Sequence, residues 1–133
     1  MEHKMVSAAI IRRDGKILIV REPNKEQWSL PGGKAIGGEG PRETLTRELC
    51  EEFPELRIRN SPRPFRHFPS TVNHREMHIF LVEVTGEATP NPKEIAEARW
   101  VFDPIVEGYN LPSQVIRALL SLRIRPPPPE IFV

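Results

Sequence analysis

The stretch Gly33-Lys34-Ala35-Ile36-Gly37-Gly38-Glu39-Gly40-Pro41-Arg42-Glu43-Thr44-Leu45-Thr46-Arg47-Glu48-Leu49-Cys50-Glu51-Glu52 decides how this chain is read. Leu45, Leu49 and Phe53 recur four apart, so residues 41–53 read as an amphipathic helix with one apolar stripe. Pro41 suits the first turn, where an N–H has no partner to lose. Gly40 serves as the N-cap, and Glu43 lies near the positive end of the helix dipole. Pro54 stops the helix, because its ring clashes with a continuing turn and drives the residue before it out of the helical region. Glu48, Glu51 and Glu52 stand at i, i+3 and i+4, on a face opposite the stripe. Three carboxylates that close repel one another unless something neutralises them, and a divalent cation would do so. Oxygen donors without imidazole or thiolate favour Mg²⁺ or Mn²⁺ over zinc. Taken alone, the same glutamates also suit a solvated acidic helix face.

Outward from this stretch, Trp28-Ser29-Leu30 leads into Pro31-Gly32-Gly33-Lys34, and Gly37, Gly38 and Gly40 complete a long shaped loop. Upstream, Met5 to Ile11 and Lys16 to Arg21 read as strands joined through Asp14-Gly15, a pair that supplies the positive φ angles of a tight hairpin. Ile17-Leu18-Ile19-Val20 shows no polar alternation, which predicts a strand covered on both faces in a layered α/β or α+β domain. Downstream, strands are expected at Leu56 to Arg59, Arg63 to Phe68, Arg75 to Val84 and Ala98 to Phe102. Asp103-Pro104 opens a short helical turn closed by Gly108. Pro112 opens a helix through Leu122 striped by Val115, Ile116, Leu119, Leu120 and Leu122. Residues 125–133, with Pro126 to Pro129, form an extended proline-rich tail behind a single domain of residues 1–124.

Composition narrows the function. A chain of 133 residues supports one core. Its net charge of +1 supplies no global field for nucleic acid or an anionic membrane, so neither partner is expected. Cys50 is the only cysteine, which excludes an internal disulfide and a cysteine-rich zinc site and fits a reducing compartment. The N-terminal apolar stretch stops at Arg12-Arg13, too short for a membrane span and without a signal-peptide layout. The expectation is a cytoplasmic monomer or homodimer.

Gly33, five residues, Glu39, seven residues, then Arg47-Glu48-Leu49-Cys50-Glu51-Glu52 is the spacing of the Nudix box, and the sequence resembles the small MutT-type members of the Nudix hydrolase family. The resemblance implies an α/β/α sandwich on a mixed sheet. It also implies hydrolysis of a pyrophosphate bond in a nucleoside diphosphate linked to another group, with a small nucleotide as substrate and Mg²⁺, or Mn²⁺ in its place, as cofactor. By carry-over, Glu48, Glu51 and Glu52 are metal ligands, the Gly33 carbonyl joins them, Lys34 faces phosphate, and Arg47 pairs with Glu39 to hold the loop on the helix. Family members often recruit a further glutamate before the late Trp-containing strand. Here Glu94 and Glu97 precede Trp100, with Glu94 the better placed as general base and Glu48 a third candidate.

The chain departs from the family where glycine and an apolar residue usually follow the box, with Pro54 and Glu55 instead, so the helix exit must differ. His67, His74 and His78 fall in strands and a turn and read as ordinary residues rather than a metal cluster. Phe65, Phe68 or His67 could line a base pocket, Trp28 and Trp100 read as packing residues, and Cys50 as a semi-buried filler. A nucleoside triphosphate, including an oxidised purine, is the leading substrate, giving monophosphate and pyrophosphate. ADP-ribose or a nucleotide sugar is the alternative, and a nucleotide-sensing or partner-binding module without turnover is the alternative from another class.

Overall fold

The computed structural model describes residues 4–69 and 75–124, so His74 and the 125–133 tail lie outside the described residues. The strands are β1 (Lys4–Arg13), β2 (Lys16–Arg21), β3 (Trp28–Ser29), β4 (Gly32–Lys34), β5 (Arg57–Phe68), β6 (Arg75–Thr85) and β7 (Glu97–Val101), and the helices are α1 (Pro41–Glu52) and α2 (Ser113–Ile124). They form one mixed sheet in the order β3-β2-β1-β6-β5, with β4 beside β1 and β7 beside β2. β1 and β6 run parallel, from Lys4↔Arg75 to Ile11↔Val82. The other pairings are antiparallel.

Alternation along the strands sorts the core into two layers. Ala9, Ile11, Leu18, Val20, Phe80 and Val82 face α1 and meet Leu45, Leu49 and Phe53. Ala8, Ile10, Ile17, Ile19, Met77 and Ile79 face the other way and meet Val115, Ala118, Leu119 and Leu122 of α2. The unbroken apolar runs at 17–20 and 79–82 thus belong to strands covered on both faces, and the architecture is the α/β/α sandwich expected. In α2, Leu120 is exposed rather than part of the stripe, because Ala118 takes a place against the sheet. No helix among the described residues is long and apolar enough to cross a membrane.

Two expectations change. The segments at 56–59 and 63–68 are one strand, β5, whose pairing with β6 shifts register between Arg59 and Arg63 and again between Pro64 and Arg66. Asn60 adopts a positive φ of 57° at the first irregularity, and its amide donates to Glu83 Oε2 at 2.8 Å. Among the described residues β5 pairs only with β6, so Pro62 and Pro64 sit on an edge strand where a missing N–H is tolerated. Cys50 is exposed, not semi-buried.

The exit from α1 differs as Pro54 requires. Phe53 is extended, at φ −135° and ψ 80°, and no left-handed residue follows. The last carbonyls find partners elsewhere. The Asn91 backbone N–H donates to Glu52 O at 2.8 Å, and the Asn91 side chain donates to Glu51 O at 3.1 Å.

Candidate active site

β1 is the platform on which the glycine loop and α1 are assembled. Val6, Ser7 and Ala8 pair with Lys34, Gly33 and Gly32. The Ser7 hydroxyl donates to the Pro41 carbonyl at 2.8 Å, fixing the start of α1 against the same strand. Glu43 reaches back to accept the Gly40 N–H.

Gly32 and Gly33 are glycines for different reasons. Gly32 has φ +149°, and a Cβ there would fall 2.0 Å from the Ser7 carbonyl oxygen. At Gly33 a Cβ would fall 2.3 to 2.6 Å from the carboxylate atoms of Glu48. The missing side chain at Gly33 therefore leaves the space in which the Glu48 carboxylate lies against the β4 backbone.

The glutamates are graded in burial rather than uniformly solvated. Glu52 lies three positions after Leu49, beside the apolar stripe, and is only 4% exposed. Its Oε1 accepts the Gly32 N–H at 3.0 Å. Burial pushes its carboxyl up to about 9, with charges on Glu48, Glu22 and Glu94 adding and the Gly32 N–H opposing. Burial also raises Glu48, against the pull of Arg47. Glu51 lies at the exposed edge.

Arg47 organises the loop. Its Nε donates to Glu39 Oε2 at 2.8 Å and its Nη2 to Glu39 Oε1 at 3.0 Å, a bidentate pair. Nη2 also donates to the Lys34 carbonyl, and Nη1 reaches Glu48 and Glu51 at 3.0 and 3.2 Å. The Arg47 hydrogen bond, with help from the Ile36 N–H, holds Glu39 down at about 2. Arg47 itself is raised, chiefly by Glu39. The guanidinium thus ties residues 34, 39, 48 and 51 together, while the Lys34 side chain is exposed.

The two loop glutamates part company. Glu94 is exposed on the turn that follows Asn91, where its charge raises both Glu48 and Glu52. Glu97 pairs through β7 with Arg21, on the sheet face of Ile17, Ile19 and Val101 that α1 does not cover. Its carboxylate accepts from Arg21 at 2.8 Å and Arg99 at 3.1 Å, and the Arg21 bond lowers it. The structure therefore brings Gly33, Glu39, Arg47, Glu48, Glu51, Glu52 and Glu94 together and leaves Glu97 apart. Glu22 and Asn91 join the site without a sequence signal of their own, since both arrive from loops that only the folded sheet places beside α1.

Phe68 is buried and Phe65 half-buried in the layer under α2, away from the glutamates. Trp28 is buried with Tyr109 edge-on at 5.3 Å, and Trp100 packs in the α1 layer.

The donor set fits a hard divalent cation. Glu48, Glu51, Glu52 and the Gly33 carbonyl offer only oxygen. The space at Gly33 admits the Glu48 carboxylate, and the buried Glu52 carboxylate is one a cation would stabilise in its charged form.

Comparison with known proteins shows the family. The family model for the NUDIX domain matches residues 1–102. A CTP pyrophosphohydrolase of Escherichia coli (strain K12) is 47% identical over 52 residues, 36% of this chain and 38% of that protein. A protein of Bacillus subtilis (strain 168), provisionally named as an 8-oxo-dGTP diphosphatase, is 28% identical over 93 residues, 69% of this chain and 61% of that protein. The matched region spans less than two thirds of the length of either relative. Among solved structures, a MutT Nudix hydrolase from Burkholderia pseudomallei superposes with a TM-score of 0.73 at 22% identity, covering 90% of this chain and 98% of that one. The E. coli ORF135 protein superposes with a TM-score of 0.67 at 28% identity, covering 97% and 96%. With the box residues assembled on α1 and β4 and the family model spanning most of its length, the chain belongs to the Nudix family.

Proposed function

We propose that this chain is a Mg²⁺-dependent nucleotide pyrophosphohydrolase that converts a nucleoside triphosphate and water to the monophosphate and pyrophosphate. The observation that carries the reading is the cradle at Gly33, where a backbone without a side chain admits the Glu48 carboxylate beside the buried Glu52. Nudix hydrolases as a family use divalent cations. Here Glu48, Glu51, Glu52 and the Gly33 carbonyl would hold one. When bound, the cation neutralises phosphate charge and acidifies water.

The protein's own residues do the rest. Lys34, exposed beside the cradle, binds phosphate oxygens as a point charge. Arg47 and Glu39 are positioning residues that hold the loop and the carboxylates in register, and small displacements there cost rate. Glu94 is the general base, accepting the proton of the attacking water. It is solvent-exposed at the site, whereas Glu97 is engaged by two arginines.

The nucleoside triphosphate reading is supported by the relatives named for CTP and 8-oxo-dGTP, and ADP-ribose and nucleotide sugars stand beside it as further arms of the test. The test measures pyrophosphate and monophosphate release across a panel of canonical and oxidised nucleoside triphosphates, ADP-ribose and nucleotide sugars with Mg²⁺, beside Glu52→Gln. Release of pyrophosphate from triphosphates, abolished in the variant, is the expected result. Tight nucleotide binding with no turnover in Mg²⁺ or Mn²⁺ would overturn the enzyme reading in favour of a sensing module.

A further inference from the structure

β5 and β6 bring together three donors that sequence spacing keeps apart. His67 lies directly opposite His78 in the ladder. Their imidazoles stack with centroids 4.3 Å apart and planes 14° from parallel. Both Nε2 atoms converge on one oxygen, Glu76 Oε1, at 2.9 Å from His67 and 2.5 Å from His78. Glu76 and His78 are two apart on β6 and so share a face. The ligating atoms of all three residues lie within 4.8 Å of one another. His78 also borders a cavity of about 280 Å³ lined by the N-cap Gly40, residues 41–43 of α1, Pro64 and Phe80.

We propose that His67 Nε2, His78 Nε2 and the Glu76 carboxylate form a second cation site, for a borderline-soft divalent ion of the Zn²⁺ class. Two imidazoles and one carboxylate make a recurrent three-ligand zinc set that leaves a fourth position for water or an anion. Mg²⁺ prefers oxygen and dehydrates reluctantly, so the two sites of this chain sort cations by donor softness. They are also separate in space. His78 borders a cavity against the first turn of α1, whereas Glu51 and Glu52 stand on its last, roughly 12 Å along the axis; Gly33 is nearer, facing Ser7 from the opposite side of β1 to His78.

Binding asks for a turn of one imidazole as well as a shift of the carboxylate, because the ring planes lie 14° from parallel and their in-plane Nε2 lone pairs converge on one ion only after a ring rotates about its Cβ–Cγ bond. Metal–ligand bonds of about 2.0–2.2 Å set tetrahedral donors roughly 3.4 Å apart, so the carboxylate need withdraw by less than about 1 Å from each ring nitrogen. Each neutral imidazole then gives its Nε2 lone pair to the ion and keeps its proton on Nδ1. A bound ion would tie the end of β5 to the start of β6.

The test titrates the full chain, saturated with Mg²⁺, with Zn²⁺ by calorimetry and with Co²⁺ as a visible-absorption probe. The expected result is one Zn²⁺ bound per chain, intense tetrahedral Co²⁺ bands, and shifts of both Nε2 resonances in ¹⁵N NMR. The double variant His67→Gln/His78→Gln is expected to weaken Zn²⁺ by about tenfold or more and to abolish the Co²⁺ bands, while Glu52→Gln leaves both intact. His67→Gln alone, at a side chain 52% exposed, tests the site without disturbing the half-buried His78, and it too is expected to weaken Zn²⁺ with the metal-free melt unchanged. Zn²⁺ affinity within about threefold of the unsubstituted protein in either histidine variant, or its loss in Glu52→Gln, overturns the proposal.

Discussion

Replacing Gly33 by alanine should separate catalysis from stability in one step. The added methyl would fall 2.3, 2.5 and 2.6 Å from Cδ, Oε1 and Oε2 of Glu48. Ordinary contact needs about 3.5 Å, so the carboxylate must retreat by roughly 1 Å. It can do so, because it is the far end of a flexible side chain and Gly33 has no positive φ to strain. The reduced freedom of the unfolded chain, worth about 0.4–1 kcal/mol for Gly→Ala at a compatible site, offsets the local crowding. The melting temperature should therefore move by only a few degrees. Catalysis is less forgiving, since a misplacement of about 1 Å can cost on the order of 10²-fold, or about 2.7 kcal/mol of transition-state stabilisation. The assay pairs steady-state pyrophosphate release in Mg²⁺ with thermal unfolding monitored by circular dichroism. Gly32→Ala is the contrast, because its methyl would meet the Ser7 carbonyl at 2.0 Å and the Ala8 Cα at 2.7 Å, backbone that cannot step aside, at φ +149°. That variant should lose its fold. A Gly33→Ala enzyme with kcat/KM within about threefold of the parent would refute the cradle.

Four further outcomes follow from the same geometry. The folded Glu52 carboxyl, at about 9, lies above its ordinary 4.5, so its own contribution to metal-free stability is greatest below 4.5 and falls as pH rises towards 9, by on the order of 4 kcal/mol at pH 7.5. Glu52→Gln should flatten that decline in thermal melts, and saturating Mg²⁺ should reverse it in the parent. Glu39, held at about 2 by Arg47, gives the opposite sign: its stabilisation is present above 4.5 and lost between 4.5 and 2, so Glu39→Gln should flatten the acid limb of the melting curve. Glu94→Gln should lower kcat by about 10²–10⁴-fold with little change in KM, and Glu97→Gln should leave kcat within about threefold, with the reverse pattern reassigning the base. Asn91→Ala removes a hydrogen bond to the Glu51 carbonyl and should cost about 1 kcal/mol in urea unfolding, an unchanged midpoint ruling out a capping role.

Local chemistry is what the sequence made legible. The helix expected at 41–53 and found at 41–52, its proline start and stop and the doubly buried strands depend on residues near one another or on short periodicities, while the Glu39–Arg47 pairing was legible only through the family resemblance; all survive into the fold. What escaped depends on register. Two irregularities in β5 reset which residue faces which, so nothing in the spacing of His67, Glu76 and His78 announces that the rings stack. The parity of β7 against β2 is equally hidden, and it is what turns Glu97 towards Arg21 and leaves Glu94 to the site. The burial of Glu52 was not legible, since the spacing sets it with Glu48 and Glu51 on the face opposite the stripe, whereas the sheet brings Gly32 against it and covers it.

Pro54 replaces a local helix cap with a distant one, and this has a consequence for what holds the end of α1. A glycine cap closes with residues next to it. Here the last turn closes locally through the Phe53 N–H on Leu49 O, but the carbonyls of Glu51 and Glu52 are capped by Asn91, some forty positions later in the chain, so these caps require long-range docking of the approach to β7. The caps of the turn that carries two of the carboxylates therefore come from a distant part of the chain, so that turn is held by the tertiary fold rather than by its own neighbours.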